Sequence, residues 1–258
     1  MFHCPINADW PRLLATLGLC LALAACTGTP EREGAPTWLG RSIGPPPEPN
    51  PGLKRLMIAK ATQEWEYFGR QTVVYRGSLE SIPNVGAWED DDGRYSGRVN
   101  AYWRAVGKPR LTGMDCQKPW SAAFLSWVML GVGVPESQFP PAAAHRVYLA
   151  AVIEGASAPG RWFVPRRISD YSPKPGDLIC ATRAGDQPFM TQGYTDAWAL
   201  DGARTHCDLV VEKRGRTLEV IGGNVRNSVS RSTLELDADG RLQPVPRRPW
   251  FLVLENRL

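Results

Sequence analysis

The chain has 258 residues, a formal net charge of +4 and a hydrophobic fraction of 43%. This length is sufficient for one well-buried core with flanking segments. The basic residues are scattered, with their strongest concentrations at 166–167 and 247–248, and no stripe of Lys and Arg interleaved with aromatics occurs. We therefore predict a single-core protein that does not bind nucleic acid.

The first 25 residues predict an export signal. Residues 13–25 are apolar and uncharged, and Arg12 precedes them. An apolar run of ~13 residues behind a positive charge is typical of a secretory signal, whereas about 20 residues are needed to span a bilayer. Residues 23–26, Leu-Ala-Ala-Cys, resemble the lipobox of bacterial lipoproteins. The resemblance implies cleavage before Cys26 and a lipid anchor on that residue. The alternative is an ordinary cleaved signal in which Cys26 has no role.

The residues after Cys26 predict a tether and a location in the cell envelope. Thr27, rather than Asp, follows the cysteine, which in Gram-negative lipoproteins implies sorting to the outer membrane. We expect the protein to be anchored on the inner leaflet of that membrane, facing the periplasm. Residues 26–52 contain seven of the 23 prolines of the chain, and this composition favours an extended tether over a packed core. The folded domain is expected to span 53–258.

Four segments of the folded part predict helices, because their hydrophobic residues recur at three- and four-residue spacing. The predicted helices are 53–69, 97–106, 121–131 and 142–154. The third is apolar on nearly all sides, so it should be buried. The acidic run 89–92 does not match a calcium-loop pattern, and a solvated loop is favoured there over a metal site. We predict no metal and no cofactor.

Short runs of β-type residues follow a Pro-Gly-Asp turn signal at 175–177. They predict strands at 178–182, 207–211, 218–221 and 250–254. Between the first two lies a long polar loop, 183–205, and a loop of that length is usually functional or mobile. Helices first and strands after predict an α+β domain, with N-terminal helices packed on a mostly antiparallel sheet.

Two histidines follow the predicted signal, and they narrow the search for a general base. His206 begins a predicted strand directly after the long loop, which is a common position for a catalytic side chain. His145 lies on a predicted helix beside Tyr148, where a hydrogen-bonded structural role is favoured.

Two further segments carry candidate functional groups. Ser121 is placed at the N-terminus of the buried helix, where a hydroxyl either caps the helix or acts as a nucleophile beside an oxyanion-stabilising helix end. Residues 222–224, Gly-Gly-Asn, end a predicted strand. The amide of Asn224 could orient His206, as the third member of a catalytic triad does, or the segment is simply a turn.

Four motifs occur in order along the chain: Pro-Trp-Ser-Ala-Ala-Phe at 119–124, Pro-Gly-Asp-Leu-Ile at 175–179, His-Cys-Asp-Leu-Val-Val at 206–211 and Ile-Gly-Gly-Asn-Val at 221–225. This order is similar to that of the papain-like cell-wall hydrolases of the NlpC and CHAP type. The version with serine resembles the bacterial lipoprotein family called domain of unknown function 2272, over residues 53–258. The resemblance implies a papain-like fold, peptidoglycan or its peptides as ligand, and a site built from Ser121, His206 and Asn224.

Ser121 stands where these hydrolases have a cysteine, and a hydroxyl does not ionise as a thiol does. One hypothesis is an amidase or acyl transferase with Ser121 as nucleophile, His206 as base and Asn224 as orienter. A second is an inactive module of the same fold that binds a cell-wall peptide or a protein. In either case we expect the ligand to be contacted by Asp115, Gln117, Trp120 and His145.

Three cysteines follow Cys26, and they leave several arrangements open. In the third and least favoured hypothesis, Cys116 supplies the nucleophile from the loop before Ser121. Its alternative role is packing, or a disulfide with Cys180 or Cys207. The last two lie on predicted neighbouring strands, so they could also pair with each other.

Overall fold

The computed structural model describes residues 48–183, 186, 190–191 and 194–258. The predicted signal, Cys26 and most of the predicted tether lie outside these residues. The described chain is an α+β fold with four α-helices, as predicted. The helices are α1 Pro51–Tyr67, α2 Gly93–Ala105, α3 Ser121–Gly131 and α4 His145–Glu154.

Eight strands form one open, mostly antiparallel sheet in the order β2-β1-β9-β8-β7-β4-β10-β3. The strands are β1 Thr72–Arg76, β2 Leu79–Asn84, β3 Phe163–Arg166, β4 Leu178–Thr182, β7 Thr205–Arg214, β8 Thr217–Val225, β9 Ser228–Glu235 and β10 Trp250–Asn256. Only β1 and β9 pair in parallel among them. A separate two-stranded ladder joins β5 Met190–Thr191 to β6 Tyr194–Thr195, and a 3-10 helix follows at Ala197–Leu200.

The helix boundaries follow from local capping. α1 begins at Pro51, two residues before the predicted start, because the Asn50 side chain accepts the N–H of Gly52 at 2.9 Å and proline is favoured in the first turn. α2 begins at Gly93 because the carboxylate of Asp92 accepts the N–H of Arg94 at 2.7 Å. The end of the acidic run therefore serves as a helix cap.

Strands β1, β2, β3 and β9 were not predicted from the sequence. β2 is an edge strand that is almost entirely exposed and contains Pro83, so it lacks the hydrophobic alternation of a half-buried strand. β9 reads Ser-Val-Ser-Arg-Ser-Thr-Leu-Glu, and several of its serines are buried, which hides the pattern. The segment between α1 and α2, for which no strand was predicted, thus contains the β1–β2 hairpin.

α1 is tied to α2 by a buried polar cluster. The Glu64 carboxylate, 2% exposed, accepts a hydrogen bond from Arg98 Nε at 2.7 Å and another from the Tyr102 hydroxyl. A buried carboxylate needs such partners, because an unpaired charge in the interior is strongly destabilising. The cluster therefore fixes how α1 lies beside α2 over the main core, which fills the space between the helices and the sheet.

The predicted Pro-Gly-Asp turn links the start of β4 to the end of β10. The buried Asp177 carboxylate accepts the N–H of Asn256 and that of Lys174, both at 2.8 Å. The Asn256 amide donates to the carbonyl of Gly176 at 2.9 Å, and Gly176 has a φ of +96°, which favours glycine. The Lys54 ammonium donates to the Asn256 carbonyl at 2.8 Å, so the first turn of α1 contacts the same point.

A disulfide joins Cys180 of β4 to Cys207 of β7. The two residues are direct partners in the antiparallel ladder, with their Cα atoms 4.1 Å apart, and both side chains are buried. Of the pairings left open by the sequence, the structure therefore contains the one between neighbouring strands. The crosslink lies one residue from His206.

Candidate functional site

Ser121 is the first residue of α3, a helix in which eight of eleven residues are buried. Its N-cap is Trp120, and no side chain caps the helix. The Ser121 hydroxyl lies 2.6 Å from Nε2 of His145. The expected capping role of this serine is therefore not observed. The hydroxyl is paired with an imidazole at a helix N-terminus, where developing negative charge is stabilised.

His145 is the first residue of α4, and the start of this helix faces the start of α3. Its Nδ1 is hydrogen-bonded to the hydroxyl of Tyr148, one turn later on α4. Burial, with a further contribution from the His206 ring, lowers the pKa of His145 well below its ordinary value. Burial raises the pKa of Tyr148 well above its ordinary value. Near neutral pH the pair is therefore an uncharged imidazole and an uncharged phenol.

His206, at the start of β7, has a different partner. Its Nε2 lies 2.7 Å from Oδ1 of Asp208, and Oδ2 of Asp208 accepts a hydrogen bond from Arg248 at 2.6 Å. His206 and Asp208 are two residues apart on one strand and so lie on the same face. Burial alone would raise the pKa of Asp208, but the charges of His206 and Arg248 outweigh it and lower that pKa to about 2. Asp208 is thus a buried carboxylate.

The two imidazoles are neighbours, with ring centroids 5.2 Å apart. Both border one cleft of about 280 Å³, together with Ser121. The cleft is lined by the start of α3, the start of α4, Arg183 and the segment 202–206, so three of its lining residues are arginines: Arg146, Arg183 and Arg204. The structure therefore brings the predicted nucleophile and both histidines to a common cavity.

The predicted direct pairing of Ser121 with His206 is replaced by a pairing with His145. The reason is the course of α4, which begins at residue 145 and not at 142, so that its first side chain reaches the start of α3. His206 in turn is held by Asp208. His145 is buried and hydrogen-bonded, as expected for its position on the helix, and the Ser121 hydroxyl is one of its two partners.

Asn224 was predicted to orient His206, but it lies behind the start of α3. With its side-chain amide oriented so that both groups find partners, its nitrogen donates to Oε2 of Glu89 at 3.3 Å and its oxygen accepts the N–H of Trp120 at 3.2 Å. Asn224 has a φ of +56°, a conformation that asparagine tolerates. The structure therefore places the Asn224 amide between Glu89 and Trp120, where it supports the residue before Ser121.

The glycines before Asn224 are required by close packing and not only by a turn. A Cβ on Gly222 would lie 1.8 Å from Oδ1 of Asp208. A Cβ on Gly223 would lie 2.6 Å from the Cβ of Phe124 and 2.6 Å from a ring carbon of Trp120. The absence of side chains on Gly222 and Gly223 allows β8 to pack closely against both α3 and the Asp208 carboxylate, which is bonded to His206.

Glu89 is a buried carboxyl directly behind the start of α3. It is 1% exposed and accepts a hydrogen bond from the indole of Trp120. Burial raises the pKa of Glu89 to about 7, although the indole hydrogen bond acts in the opposite direction. The acidic run predicted to be solvated therefore begins with an interior residue.

The other predicted contact residues lie away from the cavity. Trp120 is buried among Phe68, Tyr102 and Phe124, so its ring supports α3 from behind. Asp115 accepts the N–H of Thr112 at 2.8 Å and stabilises the loop before α3, and Gln117 is an exposed residue of that loop. Neither they nor Trp120 line the cleft.

Cys116 belongs to the same loop. Its sulfur lies 3.6 Å from the carbonyl oxygen of Met114, and it does not line the cleft that contains Ser121. The geometry therefore places the hydroxyl, and not this sulfur, against an imidazole.

From the sequence, Tyr148, Asp208 and Arg248 were not assigned a role in the site, and for Asp208 a supporting contact and a surface charge were both left open. The signal for the first was its three-residue spacing from His145 on one helix. The signal for the second was its two-residue spacing from His206 on one strand. Arg248 is distant in sequence, and no spacing rule would have found it.

Two features are absent from the described part of the chain. No three side chains of His, Cys, Asp or Glu converge there as metal ligands. None of its helices combines the length and the apolar composition that a bilayer-spanning helix needs.

The fold and the site define an α+β protein with a serine–histidine cleft at the start of two helices. Residues 87–256 match the family described as "Uncharacterized protein conserved in bacteria (DUF2272)", and the chain belongs to this family. The match begins after β2, so α1 and the β1–β2 hairpin precede it. No curated protein and no solved structure matches the chain.

Proposed function

We propose that this protein is a serine-dependent amidase or acyl transferase that acts on peptides of the bacterial cell wall. The observation that carries the proposal is the 2.6 Å contact between the Ser121 hydroxyl and Nε2 of His145, at the N-terminus of a buried helix in an open cleft. A hydroxyl requires an aligned base at the moment of attack, and this contact supplies one.

The reaction follows from this geometry. Nε2 of His145 takes the hydroxyl proton as Oγ of Ser121 attacks a substrate carbonyl carbon. The negative charge on the carbonyl oxygen is stabilised by the backbone N–H of Ser121 and the positive end of α3. The C–N bond then breaks, and the imidazolium returns its proton to the leaving amine. Water, or an acceptor amine in a transferase, completes the second half by attacking the acyl ester.

Asp208 and His206 have a supporting electrostatic role in this proposal. The negative charge of Asp208 raises the pKa of His145, opposing the effect of burial. It therefore favours the imidazolium that forms during attack. His206 borders the same cleft and is held by Asp208 Oδ1, so its second ring nitrogen is oriented.

The substrate class rests on the order of motifs and on the predicted envelope location. We propose that the domain has a papain-like arrangement, in which the nucleophile is the first residue of a buried helix that packs on β7 and β8. We further propose that Cys26 carries a lipid anchor and that residues 26–50 hold the domain near the outer membrane, facing peptidoglycan. The bacterial family assignment is compatible with this location.

One observation favours a second function, a peptide-binding module without turnover. The partner of His145 Nδ1 is the Tyr148 hydroxyl and not a carboxylate. A phenol can donate as well as accept. When it donates to Nδ1, Nε2 carries a hydrogen and donates to Ser121, and the serine cannot then be deprotonated by this nitrogen. The carboxylate that would prevent this tautomer is bonded to His206 instead.

The two functions are separated by a serine-directed fluorophosphonate probe and by incubation with purified peptidoglycan fragments. We expect intact-mass spectrometry to find one adduct, abolished in Ser121→Ala and retained in Ser157→Ala, which alters an exposed serine after α4. Liquid chromatography of the fragments should show cleaved or transferred peptides for the wild type only. A wild-type protein that binds the fragments, remains unmodified by the probe and leaves them intact would refute catalysis and support the binding module.

A further inference from the structure

The cleft that contains Ser121 is lined by three arginine residues. Arg146, Arg183 and Arg204 all line it, and among its described lining residues there is no Asp or Glu. Its other polar lining residues, Ser121, His145, Thr205 and His206, are uncharged or titrate as imidazoles. A neutral peptide would not need this excess of positive charge, which raises the local concentration of an anionic ligand.

Two of the arginines have ion-pair partners outside the cleft wall. Arg146 lies 3.5 Å from the carboxylate of Asp201, which is 91% exposed, and Arg204 Nε lies 2.6 Å from Asp186. Exposed pairs of this kind contribute little free energy. They limit the movement of these two side chains without removing them from the cleft.

Arg183 is fixed through its backbone. Its N–H donates to the carbonyl of Arg204 at 3.0 Å, and its own carbonyl accepts the N–H of Asp186 at 3.0 Å. It directly follows β4, whose last residue pairs with the first residue of β7. Arg183 is exposed and lines the cleft. Its positive charge reaches the site, since it is one of the groups that lower the pKa of His145.

We propose that Arg183 forms a subsite for a free carboxylate, with Arg146 and Arg204 adding positive charge, so that the cleft selects acidic peptides. This inference rests on the proposed function, because it assigns the substrate class of the same site. A guanidinium binds a carboxylate through two parallel hydrogen bonds, which a carboxamide cannot reproduce. The ligand is thus a peptide with a carboxylate close to the bond held at Ser121.

The inference is tested by binding to the full chain carrying Ser121→Ala, so that turnover is not needed. The probes are a fluorescently labelled peptidoglycan stem peptide and the same peptide after conversion of its carboxyl groups to amides. We expect fluorescence anisotropy to show about tenfold tighter binding of the acidic form, as for a partly solvated guanidinium–carboxylate pair. Added salt should reduce this preference.

The substitutions then assign the preference to one residue. Arg183→Gln should bring the ratio of the affinities for the acidic and the amidated peptide close to one. Arg183→Lys should retain part of the preference, and Arg167→Gln should leave it unchanged. Arg167 is a matched control, because it is an exposed arginine that does not line the cleft. Equal binding of the two peptides, binding of neither, or a preference that survives Arg183→Gln would each overturn the subsite.

Failure of the carboxylate subsite and failure of the proposed amidase function give different experimental results. Failure of the fluorophosphonate reaction at Ser121 would remove the amidase but leave a carboxylate preference measurable in the Ser121→Ala protein. Loss of the carboxylate preference would remove the subsite but leave the serine reaction intact.

Discussion

Replacing both Cys180 and Cys207 by alanine should destabilise the protein by about 3.5 kcal/mol. The disulfide closes a segment with a sequence separation of 27 residues. In the chain-entropy description, a crosslink of that separation removes about 12 cal/mol/K from the unfolded state, which at 25 °C is about 3.5 kcal/mol. For a domain of this size the corresponding decrease in Tm is roughly 10 °C.

The measurement compares three samples by thermal and urea unfolding: the oxidised wild type, the wild type with reductant, and the double variant. The reduced wild type retains both sulfur atoms, so it separates the loss of the link from the loss of packing. Peptide mapping should find the two cysteines in one linked pair in the oxidised protein. If full reduction, verified by mass, leaves the unfolding midpoint unchanged, the entropic reasoning is refuted.

Three further perturbations address the residues around the cleft. Gly223→Ala places a methyl group 2.6 Å from atoms of α3 and should cost about 1–3 kcal/mol, whereas Gly97→Ala in α2 meets nothing within 4 Å and should gain about 0.5–1 kcal/mol. Urea denaturation measures the unfolding free energy of both variants. If both were stabilised, or both destabilised, the explanation from close packing at Gly223 would be contradicted. Glu89→Gln should flatten the pH dependence of stability. Burial raises the pKa of this carboxyl in the folded state from 4.5 to about 7, so the folded state holds the proton more tightly, and the wild type should lose about 3 kcal/mol as the pH rises across this interval. Urea unfolding midpoints near pH 5 and pH 8 test this prediction. If the variant lost as much stability as the wild type between these pH values, Glu89 would not be the source of the pH dependence. Asp208→Asn should cost about 3–5 kcal/mol, because it leaves the guanidinium of Arg248, which is only 14% exposed, without its charge partner. Asp170→Asn, at an exposed pair, should cost at most about 1 kcal/mol, and similar decreases in Tm would argue against a special role for the buried carboxylate.

The parts of the fold that the sequence predicted best are those with uniform hydrophobic composition. α3 and β4 have the predicted boundaries, because each is an apolar run ended by a turn or a loop. β9 was missed because its inward positions include buried serines. The Ser230 hydroxyl, for example, donates a hydrogen bond to the Val225 carbonyl at 2.7 Å, which allows it to be buried. A hydrophobicity pattern cannot register a buried polar residue whose partner is supplied by another part of the fold.

The positions of Ser121 and His206 agree with the order of motifs, but the Ser121 hydroxyl contacts a different imidazole. The order of motifs indicated that Ser121 and His206 would share a cleft, and both line it. Which imidazole touches the hydroxyl depends on where α4 begins, and helix boundaries are uncertain by several residues without a clear cap. The residue before His145 is an alanine, which provides no capping signal. The pairing was therefore decided by tertiary packing.

The first turn of α1 lies against the Pro-Gly-Asp turn, where Lys54 reaches the carbonyl of Asn256. That turn precedes Leu178, whereas His206 pairs with Ala181, three residues further along the same strand. At about 3.3 Å per residue, the Pro-Gly-Asp turn and the position beside His206 are about 10 Å apart along β4, near its opposite ends. A domain held by the residues before α1 would therefore be attached near one end of β4 and bind its ligand near the other.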